Sequence, residues 1–180
     1  MSLKKYIPTD VYKSVYDIDF LMMYQDNIRL LFLDIDNTLA PYDEDIPSKE
    51  AHELIKNLQT IGFEIILISN NNKKRVSRFS NPLKIPYVHF ALKPLKRGFK
   101  RGLKYSSKLY NPQQVLVIGD QLMTDIVGGN KMGFNTILVR PLKKKSDIFT
   151  TRFNRRREQR VLRKLKKHHQ AAYDNIHKIL

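Results

Sequence analysis

Short apolar runs recur along the middle of the chain, separated by stretches in which apolar positions fall three and four residues apart. Five runs read as strands: 30–33 (Leu-Leu-Phe-Leu), 64–68 (Glu-Ile-Ile-Leu-Ile), 87–91, 115–118 (Val-Leu-Val-Ile) and 136–139 (Thr-Ile-Leu-Val). Most lack polar alternation, which predicts strands buried on both faces, as in a parallel sheet covered by helices. Ala51, Leu54, Ile55, Leu58 and Ile61 share one helical face, with Ser48 placed to cap that helix and Gly62 to end it. Further helices are predicted near 73–80, 95–109 and 122–132, the last closed by Gly133. Strands alternating with helices of this length predict right-handed βαβ units. The fold class is therefore α/β, a three-layer Rossmann-like parallel sheet of about five strands flanked by helices.

The flanks differ from this middle region. Residues 1–27 carry Tyr6, Tyr12, Tyr16, Phe20 and Tyr24 without a clean period and read as short helical pieces against the edge of the core. Residues 143–180 are basic and free of glycine. Two parts follow: 1–140 as a core with an N-terminal extension at 1–27, and 141–180 as a basic C-terminal helical extension. A chain of 180 residues with 42% hydrophobic and 28% charged residues suits one compact domain. The absence of cysteine excludes disulfides, thiolate nucleophiles and cysteine-bound zinc. No apolar run is long enough to span a bilayer, and Asp10, Asp17 and Asp19 stand where a signal peptide would be apolar, so a cytoplasmic location is expected. The net charge of +16 favours anionic partners such as phosphate groups, lipid or RNA.

In an open parallel sheet, ligands bind beyond the carboxyl ends of the strands. The residues leaving the predicted strands are Asp34-Ile35-Asp36-Asn37-Thr38, then Ser69 and Asn70, then Lys93, then Gly119 and Asp120 with Asp125 close behind. Each alone is ordinary turn or cap chemistry: Asp-x-Asp is common in loops, Ser caps helices, and lysine is usually solvated. Their order at four strand exits points to a site. Asp34 and Asp120 are hard oxygen donors of the kind that hold Mg²⁺ together with a substrate phosphate. An aspartate can attack phosphorus to form an aspartyl-phosphate, while Ser69 and Lys93 neutralise the phosphoryl oxygens. Asp36 can protonate the leaving alkoxide and then activate water, help worth ~10²–10⁴-fold.

These residues resemble the haloacid dehalogenase (HAD) superfamily of aspartate-nucleophile phosphatases. Its four motifs match Asp34-Ile-Asp36-Asn37-Thr38-Leu39, Ser69, Lys93 and Gly119-Asp120-Gln-Leu-Met-Thr-Asp125, so the likeness covers roughly 28–140. The wording of the first and last motifs, and Tyr16-Asp-Ile-Asp-Phe20 ahead of them, resembles subfamily IIIA and its YqeG family, related to mitochondrial phosphatidylglycerophosphate phosphatases. The resemblance implies Asp34 as nucleophile and metal ligand and Asp36 as general acid/base with its backbone carbonyl on the metal. It implies Thr38 as a support of that loop, and Ser69, the Asn70 backbone amide and Lys93 as phosphate holders. Asp120 would ligate Mg²⁺, with Asp125 as a second acidic group on the metal side. A response-regulator receiver also uses acids, a hydroxyl and a lysine, but has no need of an acid/base two residues beyond its phospho-acceptor.

HAD enzymes often enclose small substrates with an inserted cap. Here 40–47 and 70–92 leave room for a loop and for one helix and one strand, so a HAD-like fold without a cap domain is expected. An open site suits a large phosphorylated substrate: protein, nucleic acid or lipid. Leu162, Leu165, His169, Ala172, Ile176 and Ile179 predict one C-terminal helix with a narrow apolar stripe amid Arg155-Arg156-Arg157, Arg160, Arg163-Lys164 and Lys166-Lys167. That stripe could dock on the core or lie on the inner face of an anionic membrane. RNA or the ribosome is a third partner for the charge, although no RNA-binding motif is visible. The expectation is a Mg²⁺-dependent phosphomonoesterase acting on phosphatidylglycerophosphate in phospholipid biosynthesis. The alternative is an RNA- or ribosome-associated binding protein with incidental phosphatase activity. His52, His89, His168, His169 and His177 show no metal spacing.

Overall fold

The computed structural model describes residues 3–143 and 150–179, the side chains of 150–156 excepted. Residues 144–149, part of the extension expected over 141–180, and the Arg155 and Arg156 side chains lie outside the described set. Six parallel strands form the sheet: β1 Asp10–Tyr12, β2 Leu30–Leu33, β3 Glu64–Ile68, β4 Tyr87–Val88, β5 Val115–Gly119 and β6 Asn135–Val139. Their spatial order is β1-β6-β5-β2-β3-β4, and the order reverses between β2 and β5, which pair in register from Leu30 opposite Val115 to Leu33 opposite Ile118. The crevice at that reversal is where ligands of such sheets bind.

The helices are α1 Phe20–Gln25, α2 Lys49–Ile61, α3 Lys73–Leu83, α4 Lys96–Gly102, α5 Val127–Met132, α6 Thr150–His168 and α7 Gln170–His177. Alternation along β2 divides the core in two. Leu31 and Leu33 meet Ala51, Ile55 and Leu58 of α2 and Val76 and Phe79 of α3 on one face. Leu30 and Phe32 meet Phe99 of α4 and Phe134 on the other. All four β2 residues are buried, each large apolar side chain contributing about 1.5–3 kcal/mol, so the strand beneath the site is held rigidly from both sides. Ser48 caps α2 through the Ala51 amide at 3.1 Å, and Gly62 closes the helix at φ 110°.

Four expectations are corrected. A sixth strand, β1, pairs with β6 at the edge, so part of the N-terminal segment is sheet and not only helical turns; three residues are too few to show a period. The strand foreseen at 87–91 ends at Val88, because Phe90 and Leu92 take left-handed backbone angles, and His89 is therefore in a loop. The helix foreseen over 95–109 ends at Gly102 and passes through a 3₁₀ turn, Leu103–Tyr105, where the Ser106 hydroxyl bonds the Leu103 carbonyl. The single C-terminal helix is two, broken at His169 (φ −147°, ψ 62°), which lets α7 fold back beside α6.

That break matters for the stripe. Val161 and Leu165 of α6, Ile176 of α7 and Ile179 beyond it are buried against Tyr6, Leu122, Ile126, Val127 and Leu138. The stripe therefore docks on the core, and Arg157, Arg160, Arg163, Lys164, Lys166 and Lys167 of α6 are exposed. Among the described residues, no helix is long and apolar enough to cross a membrane.

Candidate active site

Asp34 leaves β2 and Asp120 leaves β5, the two strands flanking the reversal, so their carboxylates enter the crevice from adjacent exits. Ser69 follows β3, and Lys93 follows the loop after β4. Asp125 reaches the same place from a π-helical turn, Leu122–Ile126, an unusual geometry that recurs at functional sites. Gly119 makes room for it: a Cβ there would lie 2.3 Å from the Asp125 carboxyl carbon.

A buried lysine ties this cluster together. The Lys93 ammonium donates to Asp34 Oδ1 at 2.5 Å, to Asp125 Oδ1 at 2.5 Å and to the Ile68 carbonyl at 3.0 Å. Burial acts against the Lys93 charge, but the Asp125 and Asp34 carboxylates outweigh it and hold its pKa above the ordinary value. Asp125 is fully engaged, its second oxygen accepting from the Gln121 amide at 3.2 Å and the Thr124 hydroxyl at 3.3 Å. Asp34 Oδ2 accepts from the Thr38 hydroxyl at 3.4 Å. Burial lifts the Asp34 carboxyl to about 7, with Lys93 opposing and Asp125 and Asp36 adding repulsion. Asp120 is also raised well above the usual carboxylate range, first by burial and then by Asp34 and Asp125.

Asp120 carries the one orphan: its Oδ1 is buried and has no hydrogen-bond partner among the described residues. An unsatisfied buried carboxylate oxygen is costly, and natural structures keep one for a reason. Asp34, Asp120 and Asp125 each offer an oxygen within 4.8 Å of the others. Three hard donors, one of them unpartnered, fit a divalent cation.

Asp36 faces a different set. Its Oδ2 accepts from the Ser69 hydroxyl at 3.1 Å, and its Oδ1 accepts from Arg75 Nε and Nη2 at 3.2 and 3.0 Å. Arg75, near the start of α3, is buried and also donates to Asp45 and to the Glu44 and Pro41 carbonyls. The sequence reading missed this residue. Its signal was spacing: Arg75 precedes Phe79 and Leu83 by multiples of four on the inward face of α3, where a charge needs a partner.

The expected site residues thus converge: Asp34, Lys93, Asp120, Asp125 and Thr38 in one buried network, Asp36 and Ser69 beside it. Asn70 is exposed and takes a role not foreseen for its side chain, which grips the Lys93 backbone at both its amide (2.7 Å) and its carbonyl (3.1 Å). The segment Tyr16–Phe20 supports the site from behind, with the Tyr16 hydroxyl donating to the Leu39 carbonyl at 2.9 Å. Between β2 and α2 there is an irregular loop, and between β3 and β4 only α3.

Comparison with known proteins agrees with this architecture. The family described as "Mitochondrial PGP phosphatase" matches residues 1–143. "Probable phosphatase YqeG" of Bacillus subtilis is 36% identical over 93% of this chain and 95% of its own length. The chloroplastic/mitochondrial phosphatidylglycerophosphate phosphatase 1 of Arabidopsis thaliana is 26% identical over 84% of this chain, which spans 46% of that protein. Among solved structures, the cobalt-bound deoxy-D-mannose-octulosonate 8-phosphate phosphatase of Haemophilus influenzae covers 71% of this chain and 75% of its own at a TM-score of 0.52 and 15% identity. The magnesium-bound HAD-hydrolase YfnB of Bacillus subtilis covers 69% and 91% at 0.50 and 15%. At that identity the two structures bear on the fold alone.

Proposed function

The chain belongs to the mitochondrial PGP phosphatase family of HAD-type phosphoric monoester hydrolases, and from that premise we propose that it hydrolyses phosphatidylglycerophosphate through an aspartyl-phosphate on Asp34. The observation that carries the chemistry is the buried Asp34–Lys93–Asp125 network beside the unpartnered Asp120 oxygen. The lipid is supported by the family matched and by the connections after β2 and β3, which hold a loop and the single helix α3 where a cap would be inserted.

Asp34 and Asp120 would hold a Mg²⁺ ion, with Asp125 next to them and the Asp36 carbonyl as a further donor. When bound, the ion supplies positive charge that offsets the repulsion between a phosphate dianion and Asp34. Lys93, Ser69 and the Asn70 amide hold the phosphoryl oxygens, and Thr38 steadies the carboxylate of Asp34. An Asp34 oxygen attacks phosphorus as the ester P–O bond breaks, and Asp36 gives its proton to the departing alkoxide. Asp36 then takes a proton from water, which attacks the same phosphorus, releasing phosphate and restoring Asp34.

The test is phosphate release by wild type and Asp34→Asn on vesicle-borne phosphatidylglycerophosphate, soluble phosphomonoesters and phosphopeptides, with Mg²⁺ or chelator. The expected outcome is Mg²⁺-dependent turnover of the lipid by wild type and background rates for Asp34→Asn. Turnover confined to soluble esters or phosphopeptides would remove the lipid, and equal rates for both proteins would remove the nucleophile.

A further inference from the structure

The loop that delivers Lys93 carries three large apolar side chains that the core does not use. Phe90, Leu92 and Leu95 are 52%, 51% and 54% exposed, although they flank a buried lysine within one short segment. Phe90 and Leu92 sit at φ 43° and 56°, a backbone region that bulky residues avoid at a cost on the order of 1–2 kcal/mol each. Even so, both side chains stand in solvent. The loop is nonetheless well fastened. The Phe90 amide bonds the Asn71 carbonyl at 2.9 Å, the Ala91 amide bonds the Ser69 carbonyl at 3.0 Å, and Arg101 holds the His89 and Phe90 carbonyls. Gly98 lets α4 press on it, since a Cβ there would meet the Ala91 carbonyl oxygen at 2.3 Å. A rigid loop presenting exposed apolar side chains beside a catalytic crevice is a built surface.

Its electrostatic setting is one-sided. Between Glu64 and Asp120 the chain has twelve Lys and Arg and no Asp or Glu. Exposed Lys73 and Lys74 open α3 on one side of the loop, and exposed Lys96 and Arg97 open α4 on the other. At the far end of the same sheet edge, after β6, Leu142 is exposed and bonds through its amide to the Asn37 carbonyl at 3.0 Å. Apolar tips framed by cations, all on the edge where the site opens, complement an anionic bilayer: side chains below the headgroups, cations among them.

We propose that the 89–95 loop docks the protein on an anionic membrane, with Phe90, Leu92 and Leu95 entering the interface and the basic starts of α3 and α4 binding headgroups. The choice of lipid as partner rests on the lipid-phosphate reading above. The loop would bring the crevice down onto a phosphate displayed in the membrane plane, so the substrate need not leave the bilayer. It assigns membrane contact to the site's own rim and not to α6 and α7, whose apolar stripe is spent on the core.

The test uses the full chain as Phe90→Asn/Leu92→Asn and, separately, Lys96→Glu/Arg97→Glu. Asparagine accepts left-handed angles, so the first variant should unfold at the same temperature as wild type or higher. Its partitioning onto phosphatidylcholine vesicles containing phosphatidylglycerol should weaken about tenfold or more, with hydrolysis of a soluble phosphomonoester within about twofold of wild type. The charge-reversal variant should lose the preference for phosphatidylglycerol vesicles over pure phosphatidylcholine. Wild-type partitioning by the first variant, or no partitioning by wild type, overturns the proposal, as does loss of oligoribonucleotide binding by the variants with vesicle binding intact. The two readings separate cleanly. A protein that needs this loop to bind vesicles but hydrolyses only soluble esters keeps the surface and loses the lipid substrate; one that hydrolyses the lipid whatever the loop carries does the reverse.

Discussion

Arg75 fixes the carboxylate to which the proton transfers are assigned. Two of its nitrogens converge on Asp36 Oδ1, and its remaining bonds anchor it to the Pro41–Asp45 stretch, so Asp36 is held relative to the β2 exit by a side chain from α3. On that assignment Arg75 would act through Asp36, as a positioning residue. Arg75→Met should lower kcat by ~10–10²-fold, the scale of a misplaced catalytic group, with KM for a soluble ester little changed. Arg75→Lys should recover part of the loss. A rise in KM at constant kcat would instead assign Arg75 to substrate binding. The Asp34, Ser69 and Asp120 positions were legible in sequence because polar side chains directly after buried strands stand where the crevice of a parallel sheet opens, and Lys93 was found by the same logic although β4 stops at Val88 and a loop delivers it. The partner of Arg75 was not legible, because it lies 39 residues away along the chain.

At the scale of elements, the π-helical turn after β5 is what brings Asp125 under Lys93. The Asp125 and Ile126 amides both converge on the Gln121 carbonyl, and Gly119 leaves the space into which Asp125 points. Gly119→Ala should destabilise by about 1–3 kcal/mol in urea unfolding, as overpacking does, and should depress turnover by moving Asp125 from Lys93. Loss of stability without loss of turnover would show that Lys93 tolerates a displaced partner. The buried strands β2, β3, β5 and β6 were readable as apolar runs, and α2 through its spacing, cap and terminal glycine. The rest was not readable locally. β1 is fixed by pairing with β6 rather than by its own pattern, β4 is cut short by left-handed residues, and the break at His169 serves the packing of Ile176 and Ile179 beside Leu165.

At the scale of the whole molecule, the site concentrates buried acid beneath one lysine, and stability should register it. Asp34 titrates at about 7 in the folded chain, against 3.8 ordinarily, with burial as the main cause. The folded state therefore holds this proton where the unfolded chain has released it. Its stabilising contribution is complete below about 4 and is lost as pH rises through about 7. Without divalent metal, Tm should fall over that interval. Added Mg²⁺ should raise Tm more at pH 8 than at pH 5, because cation and proton compete for the same oxygens; an equal shift at both would contradict the cluster as its site. The most direct test of the central claim is to quench the enzyme during turnover and locate phosphate on its peptides by mass spectrometry. The account predicts an alkali-labile phosphate on Asp34 that is absent from Asp34→Asn. Phosphate on another residue, or turnover that persists in Asp34→Asn, would contradict it.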